Sequence, residues 1–189
     1  MTSLDLLNSR RSVPALQLGE PGPDAEQMEQ LLTAAMRVPD HGKLTPWRFV
    51  LLEGKARREL GRRLAELHLR KDPELPEAKQ IKDRERYQHA PLIVAVIAQL
   101  QGDHPKIPEQ EQLLSAGCVA YSLLLGAHAM GFAAQWLTGW AAYDRDAAQL
   151  LGLESNECVV GFVHIGTPSR EMPERDRPEL SEKLSRWQP

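Results

Sequence analysis

Hydrophobic positions recur at helical spacing along most of this chain, with charged residues between them, and one stretch breaks that rule. From Gln112 to Tyr143 there is no Asp, Glu, Lys or Arg. Its first part, Leu113 to Met130, spaces Leu113, Leu114, Gly117, Tyr121, Leu124 and Leu125 as a helix does. A helix apolar on all sides must be buried, in protein or in lipid. The run is long enough to span a bilayer. Gly117, Ser122, Gly126 and His128 are poor lipid-facing surface, Gly131 breaks the run, and no other segment resembles a span. A central core helix and no membrane are therefore expected. Its small residues (Ala116, Gly117, Ala120, Gly126, Ala127) let another backbone or a flat ligand come close. Each interior Gly costs about 1 kcal/mol against Ala, so close approach is a reason for keeping it. Gly131 to Gly139 then predicts a turn, a short strand over Phe132–Trp136 and a loop.

The remaining elements follow from the same patterns. Ser3 is placed to cap a short helix through Asn8, after which Val13-Pro14 forces extended chain. Asp24 caps a helix to Arg37, with Gln27 completing a capping box and Met28, Leu31, Leu32 and Ala35 as its buried stripe. Pro39 to Lys43 is a loop, and Trp47 to Leu52 a strand. Lys55 to Leu69 is amphipathic through Leu60, Leu64 and Leu67. Glu77 to His89 is very polar and predicts a solvated outer helix, its Lys and Arg a charged face rather than a site. Leu92 to Ala98 is seven apolar residues, rich in β-branching, as expected of a strand buried on both faces. Asp144 opens a short helix that ends at Gly152, and Cys158 to Ile165 is the last strand. The tail from 169 is rich in Pro and charge, with Trp187 near its end. Few strands among many helices predict an α+β domain, one unit over 1–189, with a small sheet between helices.

Composition narrows the function. A net charge of −3 argues against a nucleic-acid binder. Cys118 and Cys158 sit in apolar runs and are expected to be buried, reduced thiols, neither a disulfide nor a metal site. The start, Met1 to Asp5, has no basic region and no long apolar run, so a cytoplasmic protein is expected. G-x-S-x-G, P-loop, G-x-G-x-x-G, C-x-x-C and H-E-x-x-H patterns are all missing. Arg10-Arg11-Ser12 has two readings. It is a pair of cations at a helix C-terminus, or an anion clamp whose guanidiniums and hydroxyl suit a phosphate. Few acid–base candidates beside a Gly/Ala-rich helix suit a protein whose cofactor carries the chemistry.

Six motifs in order raise a further point. They are Arg10-Arg11-Ser12; Arg37-Val38-Pro39-Asp40-His41 running on to Pro46-Trp47-Arg48-Phe49; Ala90-Pro91; Ser115-Ala116-Gly117-Cys118; Gly131-Phe132 to Trp136-Leu137-Thr138-Gly139; and Gly161-Phe162 to Gly166-Thr167-Pro168. Together they resemble the nitroreductase family of FMN-dependent oxidoreductases, over about Leu4 to Pro168. The resemblance implies a small, mostly antiparallel sheet surrounded by helices, and a homodimer packed through the long central helix, with FMN at the interface. By position, Arg10, Arg11 and Ser12 would hold the FMN phosphate and ribityl chain, and Trp136, Leu137 and Thr138 would line the ring. Arg37 and His41 would reach the flavin from the partner chain. Gly126, Ala127, His128, Ala129, Met130 and Gly131 match a segment implied to contact NAD(P). Larger relatives often carry a basic residue two after the serine, where this chain has Pro14, and Asn and Gln where it has Lys43 and Thr45. Lys43 is thus a candidate for the flavin N1–C2=O edge, and Arg177-Pro178 resembles a C-terminal phosphate contact. The implied activity is ping-pong hydride transfer from NADH or NADPH through flavin N5 to a nitroaromatic or quinone-like acceptor. Other flavin reactions on the same fold, and a flavin-binding dimer without turnover, are the alternatives.

Overall fold

A computed structural model describes residues 2–189; Met1, the first residue of the predicted unit, lies outside them. Its elements, in chain order, are α1 (Ser3–Ser9), a short 3-10 turn (Ala15–Gln17), β1 (Leu18–Gly19), α2 (Ala25–Ala35), β2 (Trp47–Glu53), α3 (Gly54–Lys71), α4 (Glu77–Glu85), β3 (Leu92–Gln99), α5 (Glu109–Ala129), β4 (Ala133–Leu137), α6 (Arg145–Leu150), β5 (Glu157–Pro168) and α7 (Leu180–Lys183). The named strands form one antiparallel sheet. β3 lies between β2 and β5, and β5 also pairs with β4 and, through Thr167 and Pro168, with β1.

The buried strand is where the sequence put it. Leu92 to Ala98 are all buried, and their alternate side chains divide the core in two. Ile93, Ala95 and Ile97 pack with Leu60, Leu64 and Leu67 of α3, Tyr87 and Phe162. Leu92, Val94, Val96 and Ala98 pack against α5 and α2. Gly126 sets the α2–α5 approach, because a β-carbon there would strike Leu31. On the first side Arg48 and Gln99 bind the nearly buried Glu157 carboxylate, Arg48 through two bonds of 2.6 and 2.7 Å.

Four expectations are corrected. Thr2, not Ser3, caps α1, because Asp5 stands three residues after it and closes a reciprocal capping box. α5 begins at Glu109, four residues before the apolar run. Pro108 precedes it, and Glu109 and Glu111 favour its positive end. α5 is not buried all round. Ala116, Val119, Ala120, Leu123 and Ala127 face the core, whereas Leu113, Leu114 and Tyr121 are exposed. Cys118 lies on that open side and is exposed, and Cys158 is half-buried; both are free thiols. α5 is long and apolar enough to cross a membrane by length and composition alone. Its buried face belongs to the core described above.

Candidate functional site

The edge of β4 organises the site. After α1 the chain turns extended at Arg10, and Ser12 pairs in parallel with Ala134. The Val13 amide donates to the Ala134 carbonyl (3.2 Å) and the Ala15 amide to Gln135 Oε1 (2.6 Å). These bonds hold Arg10, Arg11 and Ser12 against β4. Arg10 Nη1 donates to Ser12 Oγ (3.3 Å), while Arg10 Nε is buried with no partner. Arg11 donates to the Asn8 carbonyl at the end of α1 (2.7 Å), as the reading of a cation at a helix C-terminus expects. The tail returns here. Pro173, Arg175 and Arg177 close a cavity of about 40 Å³ over Arg10, Arg11 and Ser12. Glu174 forms ion pairs with Arg11 and with Arg177. Four guanidiniums and a hydroxyl thus border the cavity, and one carboxylate pairs with two of the four, a donor set whose chemistry suits an anion.

Two residues further on, the same paired segments open a cleft of about 470 Å³. Pro14, Ala15 and Leu16 form one wall, Gln135 and Leu137 the floor, and α4 with the residues after it the other wall. α4 is the solvated outer layer expected of it, with Glu77, Lys79, Lys82, Arg84 and Glu85 exposed, and one of its sides forms this wall. Ile81, Lys82, Glu85, Arg86 and His89 line the cleft. A guanidinium nitrogen of Arg86 lies where a β-carbon on Gly139 would stand, and Gly139 has φ +71°, so this corner admits only glycine. α4 is pinned by the buried Arg57, which donates to the Gln88 and Ala90 carbonyls, and by His68 Nδ1 against Asp83 (2.5 Å).

The structure divides the predicted ring wall. Side chains alternate along a strand, so Leu137 enters this cleft and Trp136 the opposite face. Trp136 lies flat over Gly161 and donates Nε1–H to the Val160 carbonyl (3.2 Å), beside Leu113, Leu114 and Gly117 of α5. Thr138 follows at the strand end, half-buried.

Within the segment 126–131, Gly126 and Ala127 turn into the core and Ala129 and Met130 complete the helix end. His128 and Gly131 line a separate cavity of about 540 Å³ with Ser9, Arg11 and Arg170. His128 Nε2 meets Ser9 Oγ at 2.9 Å. Partial burial, with Arg10 and Arg11 nearby, lowers its pKa and favours the neutral ring.

Arg37, His41 and Lys43 do not join this site within one chain. His41 Nδ1 contacts Glu111 at 2.7 Å, and Ser115 Oγ donates to the Pro39 carbonyl at 2.6 Å, both on the N-terminal half of α5. His128 marks the other end, so about 25 Å of helix, at 1.5 Å per residue, separates the two groups. Their loop is tightly held: Asp40 accepts from the Leu44 and Thr45 amides, and Lys43 and Thr45 have φ of 55° and 47°. Such conformations in non-glycine residues cost about 1–3 kcal/mol each.

Sequence reasoning missed Lys82, Arg86 and His89, Gln135 and Arg175. The first three stand at i, i+4 and i+7, one face of a helix, and that spacing was the available signal. Gln135 and Arg175 join the site through strand pairing and tail return, which no local pattern encodes.

Comparison with known proteins shows the family and the fold. A model of the nitroreductase family matches residues 7–167. A Haemophilus influenzae protein named "Putative NAD(P)H nitroreductase" is 36% identical over 167 residues, covering 88% of this chain and 89% of its own. YdjA of Escherichia coli K12, named likewise, is 34% identical over 171 residues, covering 89% of each. Among solved structures, a nitroreductase-like family protein from Bacillus cereus superposes with a TM-score of 0.83 at 21% identity, covering 98% of this chain and 95% of its own. A single-site variant of NfnB, an FMN- and NADPH-dependent nitroreductase from a Sphingopyxis strain, gives 0.76 at 20% identity, covering 100% and 99%.

Proposed function

This chain belongs to the nitroreductase family, a family of oxidoreductases, and we propose that it works as an FMN-dependent NAD(P)H oxidoreductase. One observation carries the reading: the arginine–serine cluster, with its buried and unpartnered Arg10 Nε, opens within two residues into a largely apolar cleft. A phosphate at the cluster and a flat ring in the cleft match that juxtaposition. When bound, FMN supplies the redox chemistry, accepting hydride from NADH or NADPH and reducing an electron-poor acceptor such as a nitroaromatic or quinone.

The chain's own residues do the positioning. Arg10, Arg11, Ser12 and Arg177 hold the phosphate, displacing Glu174. Pro14 and Leu137 border the ring, with Thr138 beyond them. Lys82 and Arg86 stand on the cleft wall as cations without a carboxylate partner among the described residues. Reduction adds negative charge along the flavin N1–C2=O edge, and fixed cations there favour hydride uptake. In this reading they supply what Pro14 does not.

The site is completed by a second copy. Leu114, Cys118 and Tyr121 form an exposed stripe on α5, Gly117 has open space above it, and Leu4 and Leu7 of α1 are exposed nearby. A two-fold axis near Cys118–Tyr121 sets the twin helices antiparallel. The His128 end of one helix then meets the Glu111 end of the other, bringing the partner's Arg37 and His41, with the partner's Lys43, toward the flavin. That spans the 25 Å gap found within one chain. NAD(P)H contact through the segment 126–131 then rests on His128 and Gly131, which line the cavity beside Arg11.

The test is an absorbance spectrum of purified protein, before and after anaerobic NADPH. The expected result is a flavin spectrum that bleaches on addition. Colourless protein that takes up no FMN refutes the proposal, and bound flavin that stays oxidised favours the dimer without turnover.

A further inference from the structure

Beside the arginine–serine cluster lies a larger cavity, of about 540 Å³, and Arg11 lines both. Its lining has two kinds of chemistry. Leu124, Phe132, Ala134 and Met172 are apolar; Ser9, Arg11, His128 and Arg170 are polar or cationic. Small-molecule sites have this make-up, mostly apolar with a few placed polar groups. Arg170 is fixed at its root. Leu18 of β1 pairs with Pro168 at the end of β5, and the Ser169 amide donates to the Gln17 carbonyl (2.8 Å). Arg170 Nε then donates to Gln17 Oε1 (3.1 Å). That bond leaves the two terminal nitrogens of the guanidinium for another acceptor. Arg170 makes no ion pair among the described residues. His128, held by Ser9, stays neutral, so the arginines carry the positive charge of this cavity. Glu171 is the one acid among the described residues lining it, against two guanidiniums.

We infer that this cavity takes the 2′-phosphorylated adenosine end of NADPH, and that Arg170 selects NADPH over NADH. The inference rests on the NAD(P)H oxidoreductase proposed above and names the part of the nucleotide that His128 and Gly131 meet. An adenine ring needs apolar surface on which to lie, and Phe132, Met172 and Leu124 supply it. A phosphate monoester needs guanidinium and hydroxyl donors, and Arg170, Arg11 and Ser9 stand in the same lining. A site built for the unphosphorylated ribose instead sets a carboxylate to accept from the 2′-hydroxyl, whereas an arginine accommodates the 2′-phosphate. Here the guanidiniums outnumber the single acid. The place agrees as well. A dinucleotide is longer than the flavin ring it reduces, so its adenosine must lie beyond the flavin site. Arg11, common to the two cavities, makes this one contiguous with the proposed phosphate cluster.

Calorimetric titration of the FMN-loaded protein tests this without turnover. Adenosine 2′,5′-bisphosphate should bind about tenfold tighter than adenosine 5′-monophosphate, the gain expected of a charge-assisted contact. Adenosine 3′,5′-bisphosphate, of the same charge, should bind no tighter than the monophosphate. Arg170→Gln should abolish the tenfold difference; Arg170 is exposed, so the substitution leaves the core untouched. Equal affinity for the 2′,5′-bisphosphate and the monophosphate overturns the inference, as does a difference that survives in the variant. Equally tight binding of the 3′,5′ isomer marks a general anion patch and overturns it too. Turnover reads the same contact. Arg170→Gln should lower the ratio of kcat/KM with NADPH to kcat/KM with NADH about tenfold, and an unchanged ratio overturns the assignment. Failure of the parent reading looks different. A chain that takes up no FMN, or whose flavin neither nucleotide bleaches, refutes the oxidoreductase and this assignment with it. Flavin that NADH and NADPH reduce with equal kcat/KM refutes the assignment alone.

Discussion

His164 gives the sharpest test of the packing described here. It lies on β5, fully buried, with neither ring nitrogen bonded. Tyr87 packs alongside, its ring 6.0 Å away. Burial lowers its pKa from 6.5 to about 3, and the nearby Arg86, Arg57 and His89 push the same way. The ring is therefore neutral in the fold and protonated in the unfolded chain below pH 6.5. Between these two values the unfolded state binds more protons, so stability falls as pH falls. The contribution is complete above about pH 6.5 and is lost progressively down to about pH 3. At about 1.36 kcal/mol per pH unit, roughly 2 kcal/mol is gone by pH 5. Domains hold only about 5–15 kcal/mol in total, so the loss is large. With a urea slope of about 2 kcal/mol/M, the midpoint should drop by about 1 M between pH 7 and pH 5. His164→Met removes the titration, and no hydrogen bond is lost with the ring. Its midpoint should be nearly flat over that range, and carboxylates common to both proteins cancel in the comparison. His164→Gln provides the same test should the methionine pack badly. An equal drop in native and variant chains would refute the assignment of a buried neutral ring.

Arg10→Ala removes the phosphate contact proposed for Arg10, and FMN titration should show binding weakened about 10- to 100-fold, at roughly 1.5–3 kcal/mol for a charge-assisted bond; unchanged affinity would move the phosphate elsewhere. Arg48→Ala strands Glu157, whose pKa the Arg48 pair holds at about 2 and which is almost fully buried. Urea denaturation at pH 7 should show a loss of about 2–4 kcal/mol, scaled down from buried pairs because Arg48 is partly exposed. Glu157 has a depressed pKa, so that stability exists above about pH 4.5 and fades as pH falls toward 2; the Arg48 variant should lose less than the native chain between pH 5 and 3. Gly126→Ala drives a methyl into Leu31 and should cost about 1–3 kcal/mol by the same assay, although alanine is the better helix former; a stabilised variant would mean that α2 and α5 are not in close contact.

How far the sequence reached depended on whether a feature was local. β3 was legible because seven consecutive apolar residues admit few other fates, and the helices because period and caps are written in neighbouring residues. The family was legible because its motifs survive in order along the chain. Ser3 was misplaced by one residue because two hydroxyls stood side by side, and only the position of Asp5 decides between them. The site was half legible. Arg10, Arg11, Ser12 and Arg177 were singled out from motifs far apart in the chain, and the fold brings them around one small cavity. Lys82 and His89 are exposed as a solvated face should be, but charge on a helix does not say that the same face also borders a cleft.

By itself the sequence determined which segments are helix, which strand is buried on both sides, and that one uncharged helix must find cover. Those outcomes rest on hydrophobic periodicity and backbone preference, which act over a few residues. Only the tertiary structure decided which face of that helix the core covers and that its Leu114–Tyr121 stripe stays open. It also decided that Trp136 and Leu137 face opposite ways, and that tail arginines close over Arg10 to Ser12. These follow from strand register and chain return, which join residues more than a hundred positions apart and leave no trace in local spacing.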